Sequence, residues 1–179
     1  MRNTRDIGRR IALAGVGAAI TFVFVVIAYF VRRFTLSFVV LSSVGILLPL
    51  TQRDYREALL ASVAVTIGGF FLVNLTIIPF AAASGFYVVF SILWYEKKWN
   101  RFIGYGIKFA YSCLLFFILY YVTKLIAVDW SRLSFFENFS DAALYILLNG
   151  VFSICFLLYD FLLERGYVYM GVLVKRIVK

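Results

Sequence analysis

Apolar positions run almost without a break through this chain, and the longest uncharged stretch, Ala58 to Tyr95, carries the first deduction. It is 38 residues long and is interrupted near its middle by Asn74, Thr76 and Pro79. An α-helix rises about 1.5 Å per residue, so about 20 apolar residues cross the roughly 30 Å of bilayer hydrocarbon. The stretch is therefore nearly two crossings. Lipid offers no partner to backbone N–H and C=O groups, so the reversal must fall where the chain meets water, at Asn74-Leu75-Thr76. The same reading along the rest of the sequence predicts an all-α, polytopic membrane protein, a single six-transmembrane-helix bundle. Its helices are expected at residues 10–31, 34–50, 57–73, 77–95, 102–123 and 142–163. The second is the shortest, and Arg32-Arg33 leave almost no loop before it.

Charge orients the bundle. The chain has 18 Lys and Arg against 9 Asp and Glu, a net charge of +9, with 64% apolar residues. In a soluble protein that balance would suggest nucleic acid as a partner; here the cations sit in short clusters between apolar segments, and no nucleic-acid role is expected. Six spans place both termini on one side. With the N-terminus inside, 14 of the 18 basic residues fall on the cytoplasmic face, and only Arg32, Arg33, Lys124 and Arg132 outside. The positive-inside rule therefore gives an N-in, C-in protein of the cell membrane. Trp94, Tyr95 and Trp99 fit an inner aromatic belt, and Tyr29, Tyr120, Tyr121 and Trp130 an outer one. The apolar segment after Met1 to Arg10 is 21 residues long and ends in Arg32-Arg33 with no small-residue cleavage site, so it is read as a retained first helix rather than a secretory signal.

Chemistry-bearing residues are few. The chain has no histidine, which removes imidazole metal ligation and a Ser-His pair, and it contains no P-loop, GxSxG or GxGxxG. No enzyme activity, cofactor or metal is expected. Lys108 lies about two turns into the fifth helix, where its ammonium is expected to snorkel to the inner headgroups. Asp160, close to Glu164-Arg165, is expected to have a structural or interfacial role. Cys113 and Cys155 fall within spans, and neither reads as a disulfide partner.

Small residues crowd the first helix. Ala14-xxx-Ala18 and Gly15-xxx-Ala19 each put two of them one turn apart, a surface on which another helix backbone can approach closely. The approaching helix is either the protein's own or that of another subunit. The fourth helix has a similar run, Ala81 to Gly85, and Gly68-Gly69 in the third marks another close approach or a bend. For a ligand arriving from outside, the candidate contacts are Thr35 and Ser37 in the second helix, Asn74 and Thr76 in the hairpin turn, Tyr120, Tyr121 and Lys124 after the fifth helix, Trp130 in the long connection, and Asn149 in the sixth. An amide within a span needs a hydrogen-bonding partner, so Asn149 meets either a neighbouring helix or a ligand.

The Arg-rich start TRDIGRRIALAGVGAAI with Ala14-xxx-Ala18, the six spans, the cytoplasmic termini and the apolar body resemble the substrate-binding S components of energy-coupling factor (ECF) transporters. The segments SGFYVVFSILWYEKKWNR and LLNGVFSICFLLYDFLLER resemble S-component-like membrane proteins of Gram-positive bacteria. The resemblance implies a bundle that captures a vitamin or related small-molecule substrate from outside. It also implies partners, a transmembrane coupling subunit and two cytoplasmic ATPases, with Ala14 and Ala18 at the coupling interface. A second resemblance, of ALYILLNGVF to the last helix of the rod-shape protein MreD, implies instead a scaffold for cell-wall synthesis; TIGGFFLVN in the third helix departs from that pattern. An accessory subunit of a larger membrane complex is the third reading.

Overall fold

The computed structural model describes residues 4–31, 34–125 and 140–177. Its elements are α1 (Thr4–Phe30), α2 (Thr35–Leu50), α3 (Tyr55–Val73), a 3-10 turn (Asn74–Ile77), α4 (Ile78–Glu96), α5 (Arg101–Leu125) and α6 (Asp141–Ile177). No strand occurs among the described residues. Five of the helices are long and apolar enough to cross a membrane, whereas α2 has only 16 residues, or about 24 Å. The chain divides into two compact units, Met1–Lys98 with Phe161–Lys179, and Trp99–Asp160.

Three features depart from expectation, the first being that α1 begins at Thr4 rather than at residue 10. The last helix does not end at residue 163 but continues to Ile177, 37 residues in all. Charged residues at Glu164-Arg165 mark a change of surroundings; they do not interrupt an i to i−4 hydrogen-bond ladder. The fourth helix is not uniform either. Its Ala81–Phe86 segment is π-helical, and there the small residues meet the protein itself: Ser84 Oγ donates to Val39 O at 2.5 Å, and Ser62 Oγ lies 3.4 Å from Gly85 O. The run from Ala81 to Gly85 thus serves internal packing against α2 and α3.

In the first unit α2 is the hub. Val39, Ser42, Ser43, Gly45, Ile46, Leu47, Pro49 and Leu50 are all buried, beneath α1, α3 and α4. Helices in lipid gain little from apolar burial alone, because the tails are as apolar as leucine, so close backbone approach and polar contacts decide which faces meet. The closest approach joins α1 and α2. A Cβ built on Gly17 would stand 2.4 Å from Gly45 O, and one built on Gly45 would stand 2.3 Å from Gly17 O and 2.2 Å from Thr21 Oγ1. Each glycine therefore aims a Cα–H at the other's carbonyl. Pro49 has no N–H to give the carbonyl four residues before it, which is that of Gly45, so the Gly17 contact supplies a donor where the helix cannot. One turn on, Thr21 Oγ1 donates to Ser42 O at 3.0 Å, fully buried. Val25, Ala28, Val39, Val65, Val73, Ile77 and Phe80 continue the contact as an apolar cluster against which Ala18, Phe22 and Phe38 pack.

The hairpin turns where the sequence requires. Asn74 ends α3 with a positive φ of 55° and a ψ of −139°, which turns the chain out of the helix, and its N–H bonds Phe70 O. Ile77 then folds back over Gly69, where a Cβ would meet Ile77 Cδ1 at 2.5 Å. The other end of this unit is held by ion pairs. Arg10 Nη1 meets Asp54 Oδ1 at 2.7 Å, tying α1 to the α2–α3 turn. Glu96, at the end of α4, accepts from the hydroxyls of Tyr55 and Tyr167 and lies 3.5 Å from Arg53 Nε. That carboxylate brings the start of α3 and the distal part of α6 to the same point.

The glycine contact makes a sharp prediction. Gly45→Ala should lower stability by about 3 kcal/mol, at the upper end of overpacking costs because the obstructing atoms are backbone. Gly15→Ala, where a Cβ meets nothing within 4 Å, should change it by less than about 0.5 kcal/mol. Unfolding by SDS from mild-detergent micelles measures both.

Candidate functional site

The second unit consists of α5 and the first part of α6, which run antiparallel. Along their shared seam a run of polar side chains meets across or along the pair. Lys108 Nζ meets Asp160 Oδ2 at 2.5 Å, Ser112 Oγ donates to Ser153 Oγ at 3.0 Å, and Ser153 lies 3.5 Å from Asn149 Oδ1. Cys113 Sγ is 3.8 Å from Ser153 Oγ; both cysteines are free. Ser112 and Ser153 also lie where a helix exposes least, at 0% and 2%.

The ion pair is the chemical centre of this seam. Lys108 is 4% exposed and Asp160 2%. The lysine thus does not snorkel as expected: it sits about 10 Å from the start of α5, with its ammonium turned inward to the carboxylate. Withdrawing either charge from water costs several kcal/mol, and their mutual attraction offsets that cost only while both are present. Asp160 is buried against a partner that the expectation did not name.

Aromatic rings close the seam on either side of the hydroxyls. Phe116 packs on Tyr145 and Phe152 at 5.4 Å each, Tyr120 on Tyr145 at 5.2 Å, and Phe156 on Tyr111 at 6.1 Å and Tyr159 at 5.8 Å. Tilted and edge-on pairs of this kind contribute about 0.5–1.5 kcal/mol each beyond the area they bury. They fix the register that puts Lys108 opposite Asp160.

The expected ligand contacts are distributed unevenly. Tyr120 belongs to the aromatic seam, while Tyr121 is half exposed and rests on Phe117 at 4.6 Å. Asn149 reaches the α5 partner through Ser153, one turn along its own helix. Asn74 is exposed at the hairpin turn of the first unit. Thr76 lies in that same turn and Lys124 in the last turn of α5, with both side chains outside the described residues; Trp130 lies outside them altogether. On α1 the four small residues part company. Ala18 packs on the apolar cluster and Ala14 is half-buried, whereas Gly15 and Ala19 face outward. Gly17, which makes the tightest contact, belongs to neither expected pair.

The Lys108–Asp160 pairing was the main feature missed. Its signal was present: two opposite charges, each a short distance from the same end of neighbouring antiparallel spans. Among the described residues no group of three His, Cys, Asp or Glu is placed to hold a metal ion. Compared with protein-family models, curated proteins and solved structures, the chain finds no match.

Removing one member of the pair should be far worse than removing both. Lys108→Met or Asp160→Leu alone should cost about 3–5 kcal/mol by leaving a buried charge uncompensated, and the double variant should regain most of the loss. A double-mutant cycle of SDS unfolding tests this.

Proposed function

We propose that this chain is a multi-pass cell-membrane protein that acts as the substrate-binding subunit of an importer of the energy-coupling factor type. In this reading it binds a vitamin or related small molecule and is not itself an enzyme. It works with a transmembrane coupling subunit and two cytoplasmic ATPases. The observation that carries the proposal is the division of labour on α1. Gly17 and Ala18 are consumed by the protein's own packing, while Gly15 and Ala19, one turn apart, stay uncovered, with open space where a Gly15 Cβ would lie. An outward face of small residues suits a second helix backbone better than it suits lipid tails, which gain contact from larger side chains.

The orientation and the sixth crossing belong to the same proposal. The start of α1, the α2–α3 turn and the end of α4 share one end of the first unit, as the Arg10–Asp54 and Arg53–Glu96 pairs require. Arg9, Arg53, Arg56, Lys97 and Lys98 cluster there, which supports that end as cytoplasmic. A 16-residue α2 crosses only if the bilayer thins or its ends lie in headgroups, and its burial among longer helices permits both. The candidate outer ligand contacts in this reading are Asn74 and Thr76 on the first unit and, taken separately, Tyr120, Tyr121, Lys124, Trp130 and Asn149 on the second.

Affinity purification in mild detergent, with mass spectrometry of proteins and small molecules, tests the proposal. Two ATPases and a coupling subunit should co-purify, and Gly15→Leu with Ala19→Leu should reduce their recovery at least tenfold without lowering thermal stability. Recovery of a bitopic periplasmic partner instead would support the MreD-like scaffold, and recovery of neither partners nor ligand would overturn the importer reading.

A further inference from the structure

Arg53 and Lys98 occupy backbone positions that proteins ordinarily give to glycine. Arg53 has φ 60° and Lys98 φ 49°. At Arg53 the reason for the angle is explicit. Arg53 N–H bonds Leu50 O at 2.8 Å and Asp54 N–H bonds Pro49 O at 3.2 Å, the pair of bonds by which a helix closes on a left-handed residue. A side chain with a Cβ costs about 1 kcal/mol there relative to glycine. Backbone strain of this kind directs attention to what the side chain does.

Both side chains are cations, and the fold gathers them. Arg53 Nε is 3.5 Å from Glu96 Oε1, and Lys97 and Lys98 follow Glu96 directly. Arg56 comes one residue after Tyr55, whose hydroxyl is also on Glu96. Arg53 keeps 77% of its side chain exposed, and Arg56, Lys97 and Lys98 are exposed as well. Three carboxylates lie nearby. Asp54 is buried against Arg10, Glu96 is engaged by two tyrosines and Arg53, and Glu57 is half-buried on α3. Four exposed cations therefore face water across carboxylates that are covered or partnered. Beside them the rings of Tyr95 and Tyr167 meet edge-on at 6.4 Å, side chains of the type that marks headgroup depth.

We propose that Arg53, Arg56, Lys97 and Lys98 form a binding site for the phosphate headgroup of an anionic phospholipid. Arg53 and Lys98 stay at left-handed positions because their charge is used at the membrane surface. The site does not depend on the importer reading, since it needs only a bilayer edge at this end of the first unit.

Replacement by glycine separates binding from folding. Arg53→Gly with Lys98→Gly removes both charges and the strain together, so lipid-free protein in mild detergent should unfold at the same temperature as wild type or higher. Phosphatidylglycerol should raise the unfolding temperature of wild type, and phosphatidylcholine should not. For the double variant the half-saturating phosphatidylglycerol concentration should rise roughly fivefold per charge, about thirtyfold in all. Arg53→Lys should retain most of the response. Equal responses of wild type and the double variant, equal effects of the two lipids, or reproduction of the effect by inorganic phosphate would each overturn the proposal. If the glycine pair lowers lipid-free stability, Arg53→Asn with Lys98→Asn repeats the comparison with side chains that tolerate the same angles.

Discussion

The first unit depends on one contact, the meeting of Gly17 and Gly45. No side chain separates α1 from α2 there, and each Cα–H is directed at a carbonyl of the other helix. The arrangement follows from three residues whose roles interlock. Pro49 deprives Gly45 O of its usual donor, the absence of a Cβ lets α1 come close enough to substitute, and Thr21 supplies a stronger bond one turn away at Ser42 O. Because α2 is short and surrounded, its position fixes what α3 and α4 can do. Ser84 reaches Val39 O, and Ser62 reaches Gly85 O, only because the helices bearing them lie against this hub.

Elsewhere the adhesive is polar. The seam between α5 and α6 replaces glycine contact with an ion pair, two serines and stacked rings. Both solutions answer the same difficulty, that apolar surface in lipid gives a helix little reason to choose one neighbour over another. Close backbone packing selects by shape. A buried charge selects by exclusion, since any register that separates Lys108 from Asp160 leaves two uncompensated ions.

Much of the architecture could be read from the residues, and the failures share a cause. The hairpin from Ala58 to Tyr95 and its turn at Asn74 follow from hydrogen-bond accounting, which applies to every segment in lipid without knowledge of neighbours. Helix positions follow for the same reason. The continuation of α6 to Ile177 does not follow from hydropathy, because Glu164-Arg165 break the apolar run, whereas Gly166 and Tyr167 beyond them are held within the first unit by Leu47 and Glu96. Lys108 and Asp160, each taken alone, belong at the surface, and only the pairing of α5 with α6 makes their burial tolerable. The crowded stripe on α1 was visible, but which of its residues would turn inward depended on the placement of Pro49 and Gly45, 28 residues and more along the chain.

The ion pair also bears on how the protein enters the membrane. Lys108 and Asp160 are 52 residues apart, and synthesis at about 5–20 residues per second puts roughly 3–10 s between their appearance. Throughout that interval α5 carries a cation with no counter-charge, and a lone helix bearing it would hold that lysine near water. Burial of Lys108 against Asp160 therefore awaits α6, because the contact has no second member until that helix is made. A contact that holds the finished helices together thus also sets a time before which Lys108 has no counter-charge.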